Sequence, residues 1–106
     1  MSKYVYVYKG GGMAATEEEQ NAAMAAWGAW IGQLGDALVD VGNPFGASAA
    51  VESDGSSSNG AAGSALTGYS IVEAASLEDA VAKSRGCPVF TGGGSVDVYE
   101  AIEVTM

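Results

Sequence analysis

The sequence predicts an α+β fold in which two strand-helix-strand halves share one antiparallel sheet of four strands. Two observations carry this prediction. Segments with strand-like alternation stand at both ends of the chain, and two helix starts, each a Ser or Thr followed three residues later by an acidic residue, lie between them. With 106 residues, the chain is expected to form one domain, 1–106, that buries roughly two-thirds of the surface of the unfolded chain.

The first predicted strand, residues 3–9, alternates two kinds of apolar side chain. These are Tyr4, Val5, Tyr6, Val7 and Tyr8. Successive side chains of a strand point to opposite faces of the sheet. Valine suits a dry core, whereas a phenol suits a surface that is apolar along the ring and offers a hydrogen-bond partner at its tip. We therefore expect the valines to face the helices and the tyrosines to face away from them.

The first helix is predicted to begin near Thr16, because Thr16 and Glu19 form a capping box. Apolar residues then recur at steps of three and four, which places them on one stripe. They are Ala23, Trp27, Trp30, Ile31, Leu34, Leu38 and Val41. Gly42 and Pro44 supply the expected end of the helix. Three glycines lie along its flank, at Gly28, Gly32 and Gly35. They fit either a close neighbouring backbone or a helix that tolerates glycine.

The middle of the chain contains a short strand-like piece and then a polar loop. Residues 47–53 are predicted to form the strand. Residues 54–64 are rich in Gly and Ser and contain almost no apolar side chain, so they are expected to form a flexible loop. A loop of this length is typical of a lid or of a disordered segment.

The second half repeats the strand-helix-strand order. Residues 67–74 are predicted to form a buried strand, and a short helix should begin at Ser76 and end at Gly86, before Pro88. The last strand is predicted for residues 95–104. One of its faces carries Val96, Val98, Ile102 and Val104. The other carries Asp97, Tyr99 and Glu103.

This order of elements predicts a ferredoxin-like βαββαβ arrangement with both helices on one face of the sheet. The other face would then need a second cover. A monomer would expose an aromatic patch there, which soluble proteins rarely do without a purpose. A homodimer that packs sheet against sheet through Tyr4, Tyr6 and Tyr8 is the simplest cover.

Composition excludes several classes of function. The formal charge of −9 repels phosphate backbones and anionic membranes, so neither nucleic acid nor a membrane is an expected partner. The chain has no histidine and one cysteine, Cys87, so no metal, haem or other cofactor is expected. The N-terminal residues lack the pattern of a signal peptide, and a cytoplasmic location is therefore expected.

The chain also resembles the YCII-related family, specifically its DGPF-containing branch. The resemblance is carried by residues 66–80, by Gly86-Cys87-Pro88 and by residues 93–98, together with the first strand and the first helix. It implies a dimeric α/β barrel, in which two ferredoxin-like subunits enclose a cavity between their sheets. It also implies small-molecule chemistry in some relatives, which look like dehydrochlorinases.

Two departures from the family separate this chain from that chemistry. Only Asp54-Gly55 of the Asp-Gly-Pro-Phe signature is present, with Ser56 and Ser57 in the next two positions. In the histidine-bearing branch, a His on the first helix and an Asp before the proline after the second helix look like a catalytic dyad. Here Cys87 precedes Pro88 and no His exists, so the dyad mechanism is not carried over.

Two functions remain as hypotheses from the sequence. The first is a non-enzymatic homodimer that binds a small, partly apolar molecule or a protein partner in the inter-sheet cavity. The residues expected to line that cavity are Tyr6, Tyr8, Tyr69 and Tyr99. The alternative is a cofactor-free lyase or isomerase acting on a small aromatic or lactone-like compound, with Asp97 as base and Tyr99 or another tyrosine as acid. Cys87 follows a helix C-terminus and is expected to be structural.

Overall fold

The computed structural model describes residues 2–10, 16–59 and 66–104. Six strands and two α-helices are found there. In chain order they are β1 (Ser2–Lys9), α1 (Glu17–Leu34), β2 (Leu38–Asp40), β3 (Ala49–Val51), β4 (Ser57–Asn59), β5 (Leu66–Ala74), α2 (Leu77–Ser84) and β6 (Ser95–Ala101). Short 3₁₀ turns follow α1 and precede β6, at Gly35–Ala37 and Pro88–Gly92. Neither α-helix in the described ranges has the length and hydrophobicity needed to span a bilayer.

The main sheet confirms the predicted ferredoxin-like fold. Its strand order is β2-β5-β1-β6, and every neighbouring pair is antiparallel. β1 lies in the centre, where Tyr4 pairs with Val72 of β5 and Glu100 of β6. β2 and β6 form the two edges of the sheet. β3 and β4 pair only with each other as a separate hairpin.

The expected assignment of the two faces of β1 is wrong. The alternation is as predicted, but Tyr4, Tyr6 and Tyr8 are the buried set, and Val5 and Val7 are only half-buried on the other side. In this position the tyrosine rings are buried among apolar groups, and their hydroxyls can form hydrogen bonds. The rings pack under the helices, and two of the hydroxyls find acceptors, since Tyr6 donates to the carbonyl of Ala80 and Tyr8 donates to Ser70 Oγ at 2.7 Å.

An aromatic cluster forms the centre of the core between the sheet and α1. Trp30 lies 6.1 Å from Tyr6 and 6.5 Å from Tyr8 between ring centroids, and Trp27 packs edge-on against Tyr8 at 5.2 Å. Trp30 Nε1 donates to the carbonyl of Lys83 at 3.2 Å, which joins α1 to the end of α2. The predicted core role is confirmed for Trp30, which is buried, whereas Trp27 is half-buried and packs against the core from its side.

Helix α1 begins as predicted but ends earlier. Thr16 Oγ1 accepts from the backbone N–H of Glu19 at 3.1 Å, and the first helical residue is Glu17. The helix stops at Leu34 because Gly35 adopts φ +53°, a conformation that favours glycine. Leu38, expected on the helical stripe, instead enters β2 and pairs with Val72.

The flank and the first half of α1 pack less than the sequence suggests. A Cβ at Gly28, Gly32 or Gly35 would meet nothing within 4 Å, so the described residues provide no close neighbouring backbone. Ala23, expected on the stripe, is exposed, and Met24 is 72% exposed. Val41, the last residue of the expected stripe, lies beyond β2 and is 50% exposed.

The loop predicted for residues 54–64 is partly ordered by pairing. Ser57–Asn59 forms β4 against Ala49–Val51, and Asp54 stabilises the turn by accepting from the backbone N–H of Ser56 at 2.8 Å. The strand predicted for residues 47–53 therefore exists as β3, but in this hairpin and not in the main sheet. Residues 60–64 of the predicted loop lie outside the described residues.

Candidate dimer and ligand surface

The face of the main sheet opposite the helices is the candidate functional surface, and we call it the open sheet face. Within the three long strands its charged and larger apolar members are Lys3, Val5, Val7, Lys9, Tyr69, Ile71, Glu73, Asp97 and Tyr99. They follow from the register, because residues opposite each other in an antiparallel pair share one face. No described helix covers them, since both helices pack on the tyrosine side.

The centre of the open sheet face is apolar. Val5 lies between Ile71 and Tyr99, and Val7 lies between Tyr69 and Asp97. Tyr99 is 58% exposed, although it is one of the larger apolar side chains of the sheet. A contiguous apolar and aromatic surface of this kind is typical of an interaction site.

The charges on this face nearly balance, unlike those of the chain as a whole. Lys3 and Lys9 are two of the four cationic residues, and they share the face with Glu73 and Asp97. Asp40 of β2 lies opposite Ile71, so the net formal charge of the face is −1 in a chain of −9. Lys9 Nζ contacts Asp97 Oδ2 at 2.7 Å. This hydrogen bond and the charge of Asp97 raise the pKa of Lys9. The open sheet face can therefore approach another surface with less repulsion than the remaining surface would meet.

A stacked aromatic pair extends the open sheet face towards β2. The rings of Phe45 and Tyr69 lie 5.8 Å apart and are inclined by 20°. The segment before Phe45 approaches β5 closely, because a Cβ at Gly42, whose φ is +77°, would meet the carbonyl oxygen of Tyr69 at 1.8 Å. The carbonyl of Thr67 accepts from the backbone N–H of Phe45 at 2.8 Å. These contacts position a second ring beside Tyr69.

The structure divides the predicted site residues between two sides of the sheet. Tyr69, Tyr99 and Asp97 lie on the open sheet face, whereas Tyr4, Tyr6 and Tyr8 lie in the core. The expectation that Tyr4, Tyr6 and Tyr8 form the dimer interface, and that Tyr6 and Tyr8 line a ligand cavity, is therefore wrong. Sequence reasoning missed other residues on or beside the open sheet face, which are Val5, Val7, Ile71, Lys9 and Phe45. The alternation in β1 was the available signal, but it does not state which set faces the helices.

The buried tyrosines are anchored by hydrogen bonds within the subunit. Tyr8 donates to Ser70 Oγ, and Ser70 Oγ donates in turn to the carbonyl of Val41 at 2.6 Å. Burial raises the pKa of Tyr6 to about 12, with a smaller contribution from the charge of Asp79. Burial also raises the pKa of Tyr8. Both phenols therefore remain protonated hydrogen-bond donors at neutral pH.

These shifts predict a loss of stability in alkali. The pKa of Tyr6 is about 12 in the folded chain and 10.0 in ordinary surroundings. As pH rises above 10.0, the unfolded chain releases this proton while the folded chain retains it, so the free energy of unfolding falls until the pH passes about 12. We expect urea midpoints to stay level from neutral pH to pH ~9 and to fall above it. Tyr6→Phe should reduce the fall, and an equal fall in this variant would contradict the assignment.

A shallow groove on the helix side contains the single cysteine. It has a volume of about 420 Å³ and lies between α1 and the Pro88–Gly92 turn, with Trp30, Gln33, Arg85, Cys87, Phe90 and Thr91 among its lining residues. Cys87 is buried, and burial raises the pKa of its thiol to about 11. Cys87 belongs to the buried core, as expected of a structural residue, and a thiol with a raised pKa is largely protonated at neutral pH.

The pKa of Cys87 predicts slow alkylation of the folded chain. At pH ~8 the native thiol should react with iodoacetamide at least about tenfold more slowly than the thiol of the urea-unfolded chain, since less thiolate is present. Mass spectrometry over a time course measures both rates. Equal rates would mean that Cys87 is accessible and ionised in the folded chain.

Comparison with known proteins supports the fold alone. A solved structure of 5-chloro-2-hydroxyhydroquinone dehydrochlorinase (TftG) from Burkholderia phenoliruptrix AC1100, in complex with 2,5-dihydroxybenzoquinone, is similar with a TM-score of 0.58 and 16% sequence identity. The similarity covers 96% of this chain and 95% of that chain. No protein-family model and no curated protein sequence matches the chain.

Proposed function

We propose that this protein is a YCII-like homodimer that packs the open sheet faces of two subunits together and binds a small, partly apolar molecule between them. The observation that carries the proposal is the uncovered apolar centre of the open sheet face, at Val5, Val7, Ile71 and Tyr99. The chain does not need a cofactor for this role. The resemblance to the YCII-related family and the fold shared with TftG both support the assignment.

The charges favour a second copy of the chain as the partner that packs on the open sheet face. In a two-fold symmetric dimer the same surface of both subunits packs together, so that surface must be complementary to its own copy in charge. The open sheet face meets this condition, because its two lysines nearly offset its three carboxylates. A partner that bound elsewhere on this acidic chain would need a strongly basic surface.

The aromatic residues of the open sheet face favour a planar ligand. Tyr69 stacks on Phe45, and Tyr99 exposes its ring beside Val5. Offset stacking between aromatic rings adds about 0.5–1.5 kcal/mol beyond the area that they bury. The ligand of the TftG structure is itself a planar six-membered ring, a benzoquinone. A neutral ring is the better fit here, since the chain carries a charge of −9.

Calorimetric titration with hydroquinone, a neutral planar phenol, tests the ligand part of the proposal. We expect saturable binding that Tyr99→Ala weakens about threefold or more, because the variant removes the stacking surface. Phe90→Ala is the matched control, since Phe90 is an exposed aromatic residue that lines the groove on the helix side. Loss of binding in Phe90→Ala but not in Tyr99→Ala would move the ligand to that groove. Absence of binding to both hydroquinone and 2,5-dihydroxybenzoquinone would refute small-ring binding.

A cofactor-free enzyme is the alternative, and the joint position of Asp97 and Tyr99 on the open sheet face favours it. Against it, Asp97 Oδ2 is already engaged by Lys9, so this oxygen is not free to accept a proton from a substrate. In the enzyme hypothesis, Asp97→Asn abolishes turnover while ligand affinity is retained. Absence of turnover of phenolic and lactone substrates by the wild-type dimer would remove the enzyme hypothesis.

A further inference from the structure

The groove on the helix side has two lobes that meet at one glycine. The larger lobe, of about 420 Å³, contains Cys87, and a second lobe of about 230 Å³ shares Trp30, Gln33 and Gly86 with it. A Cβ at Gly86 would lie 3.2 Å from Trp30 Cδ1 and 3.7 Å from Gln33 Oε1. The lack of a side chain at Gly86 therefore leaves the junction of the two lobes open. The larger lobe alone falls within the range of about 300–1,000 Å³ that is typical of small-molecule sites.

Positive charge is concentrated in this groove, although the chain as a whole is acidic. Lys83 and Arg85, two of the four cationic residues, line it, and none of its described lining residues is among the 13 acidic residues of the chain. The two ion pairs found in the described ranges join Lys83 to Asp79 and Lys9 to Asp97. Arg85 therefore has no carboxylate partner in those ranges, and its guanidinium can supply one positive charge to a ligand.

The polar groups around Arg85 do not oppose an anion. The carbonyls at the end of α2 carry partial negative charge, but they are engaged by donors of the chain. The carbonyl of Lys83 accepts from Trp30 Nε1 at 3.2 Å, and the carbonyl of Ser84 accepts from the backbone N–H of Cys87 at 2.9 Å. The thiol of Cys87 is largely protonated at neutral pH, because burial raises its pKa to about 11. Arg85 thus keeps its positive potential in the groove.

We propose that this groove is a second ligand site, which binds a small aromatic monocarboxylate. The guanidinium of Arg85 presents parallel N–H donors that match the two oxygens of a carboxylate. One negative charge on the ligand matches the one cation of the groove that lacks a carboxylate partner in the described ranges. Gln33 and Thr91 add polar groups, while Trp30 and the half-exposed Phe90 provide apolar walls for the ring. The site does not depend on the homodimer, and it differs from the open sheet face, whose proposed ligand is a neutral ring.

NMR titration of the wild-type chain with benzoate is the first test. Arg85 is the only arginine of the chain, so its side-chain Nε–H gives a single signal. We expect benzoate to shift this signal to saturation. Benzyl alcohol, a neutral molecule of similar shape, should bind at least about tenfold more weakly, because it lacks the charged acceptor. Equal affinities for the two molecules, or a shift that does not saturate, would overturn the inference. Binding of inorganic phosphate as tight as that of benzoate would overturn the assignment to an aromatic carboxylate.

The variant Arg85→Gln tests the role of the guanidinium. It should weaken benzoate binding about tenfold or more, since the charge-assisted hydrogen bonds are lost. The indole Nε1–H signal of Trp30 follows binding in this variant. Val51→Glu is the matched control, because it changes the net charge by the same amount at a side chain that is 70% exposed in the β3–β4 hairpin. Equal weakening in the two variants would mean that the chain repels anions in general, and it would overturn the site.

The variant Gly86→Ala tests the shape of the groove without a change in charge. Gly86 does not adopt a positive φ, so its backbone accepts alanine, and the added methyl would occupy the junction of the two lobes. We expect benzoate binding to weaken about threefold or more, because the ligand and the methyl compete for the same space. Circular dichroism checks that the variant is folded. Unchanged affinity in the folded variant would place benzoate outside the groove and overturn the inference.

The groove and the proposed function fail in different ways. If benzoate binding depends on Arg85 and hydroquinone does not bind, the groove stands and the ligand part of the proposed function fails. If hydroquinone binding depends on Tyr99 and benzoate does not bind, the proposed function stands and the groove inference fails.

Discussion

Val5→Lys is expected to raise the dissociation constant of the homodimer by about 30-fold or more. Val5 lies at the centre of the open sheet face, between Ile71 and Tyr99. A lysine there would place an unpaired charge in the middle of a sheet-to-sheet contact, which costs about 2 kcal/mol or more, and the two-fold axis places it there twice. Sedimentation across a dilution series measures the constant.

The subunit itself should remain folded in Val5→Lys, because Val5 is only half-buried in the single chain and faces away from the core. Circular dichroism checks this. Met24→Lys is the matched control for charge, since Met24 lies exposed on α1. A Val5→Lys chain that sediments like the wild type would show that the open sheet face is not the dimer interface.

Tyr6→Ala is expected to lower the free energy of unfolding by about 3–5 kcal/mol, as large-to-small changes at buried aromatic residues do. Tyr6 is fully buried, stacks on Trp30 and donates a hydrogen bond to the carbonyl of Ala80. Tyr6→Phe should retain the packing and lose only the hydrogen bond, at a cost of about 1–3 kcal/mol because the buried carbonyl is left without its donor.

Tyr99→Ala is the comparison that separates the two sides of the sheet. Tyr99 is 58% exposed, so its removal should change the stability of the dilute, monomeric chain by no more than about 0.5 kcal/mol. Urea unfolding followed by circular dichroism measures all three variants. A larger loss in Tyr99→Ala than in Tyr6→Ala would mean that the tyrosines of β1 do not form the core.

The tyrosines of β1 show how far the sequence leads. Alternation separates Tyr6 from Val5 without reference to the rest of the chain, and this separation is correct. The side of the sheet on which each set lies depends on acceptors that are remote in sequence, at Ala80 for Tyr6 and at Ser70 for Tyr8. The sequence does not state which remote carbonyl or hydroxyl will meet a phenol. A choice based on the polarity of the phenol alone therefore selects the wrong face.

Leu38 shows the same limit at the end of α1. It follows Leu34 by four residues, so a helix and a turn into a strand both bring it to the same core. The positive φ of Gly35 ends the helix, and a glycine in the sequence is compatible with either outcome. The helix starts were predictable because each cap is local. Thr16 and Ser76 both accept from the backbone N–H three residues later.

The position of the tryptophans has a consequence for spectroscopy. Trp27 and Trp30 both lie on the helix side of the sheet, packed on Tyr8, whereas Tyr99 lies on the other side with its ring exposed. The intrinsic emission of the indoles should therefore report unfolding and stay constant when the open sheet faces meet. A fluorophore attached at position 99 should change its emission when the open sheet faces meet and respond little to unfolding. One chain thus offers separate optical readouts for folding and for assembly.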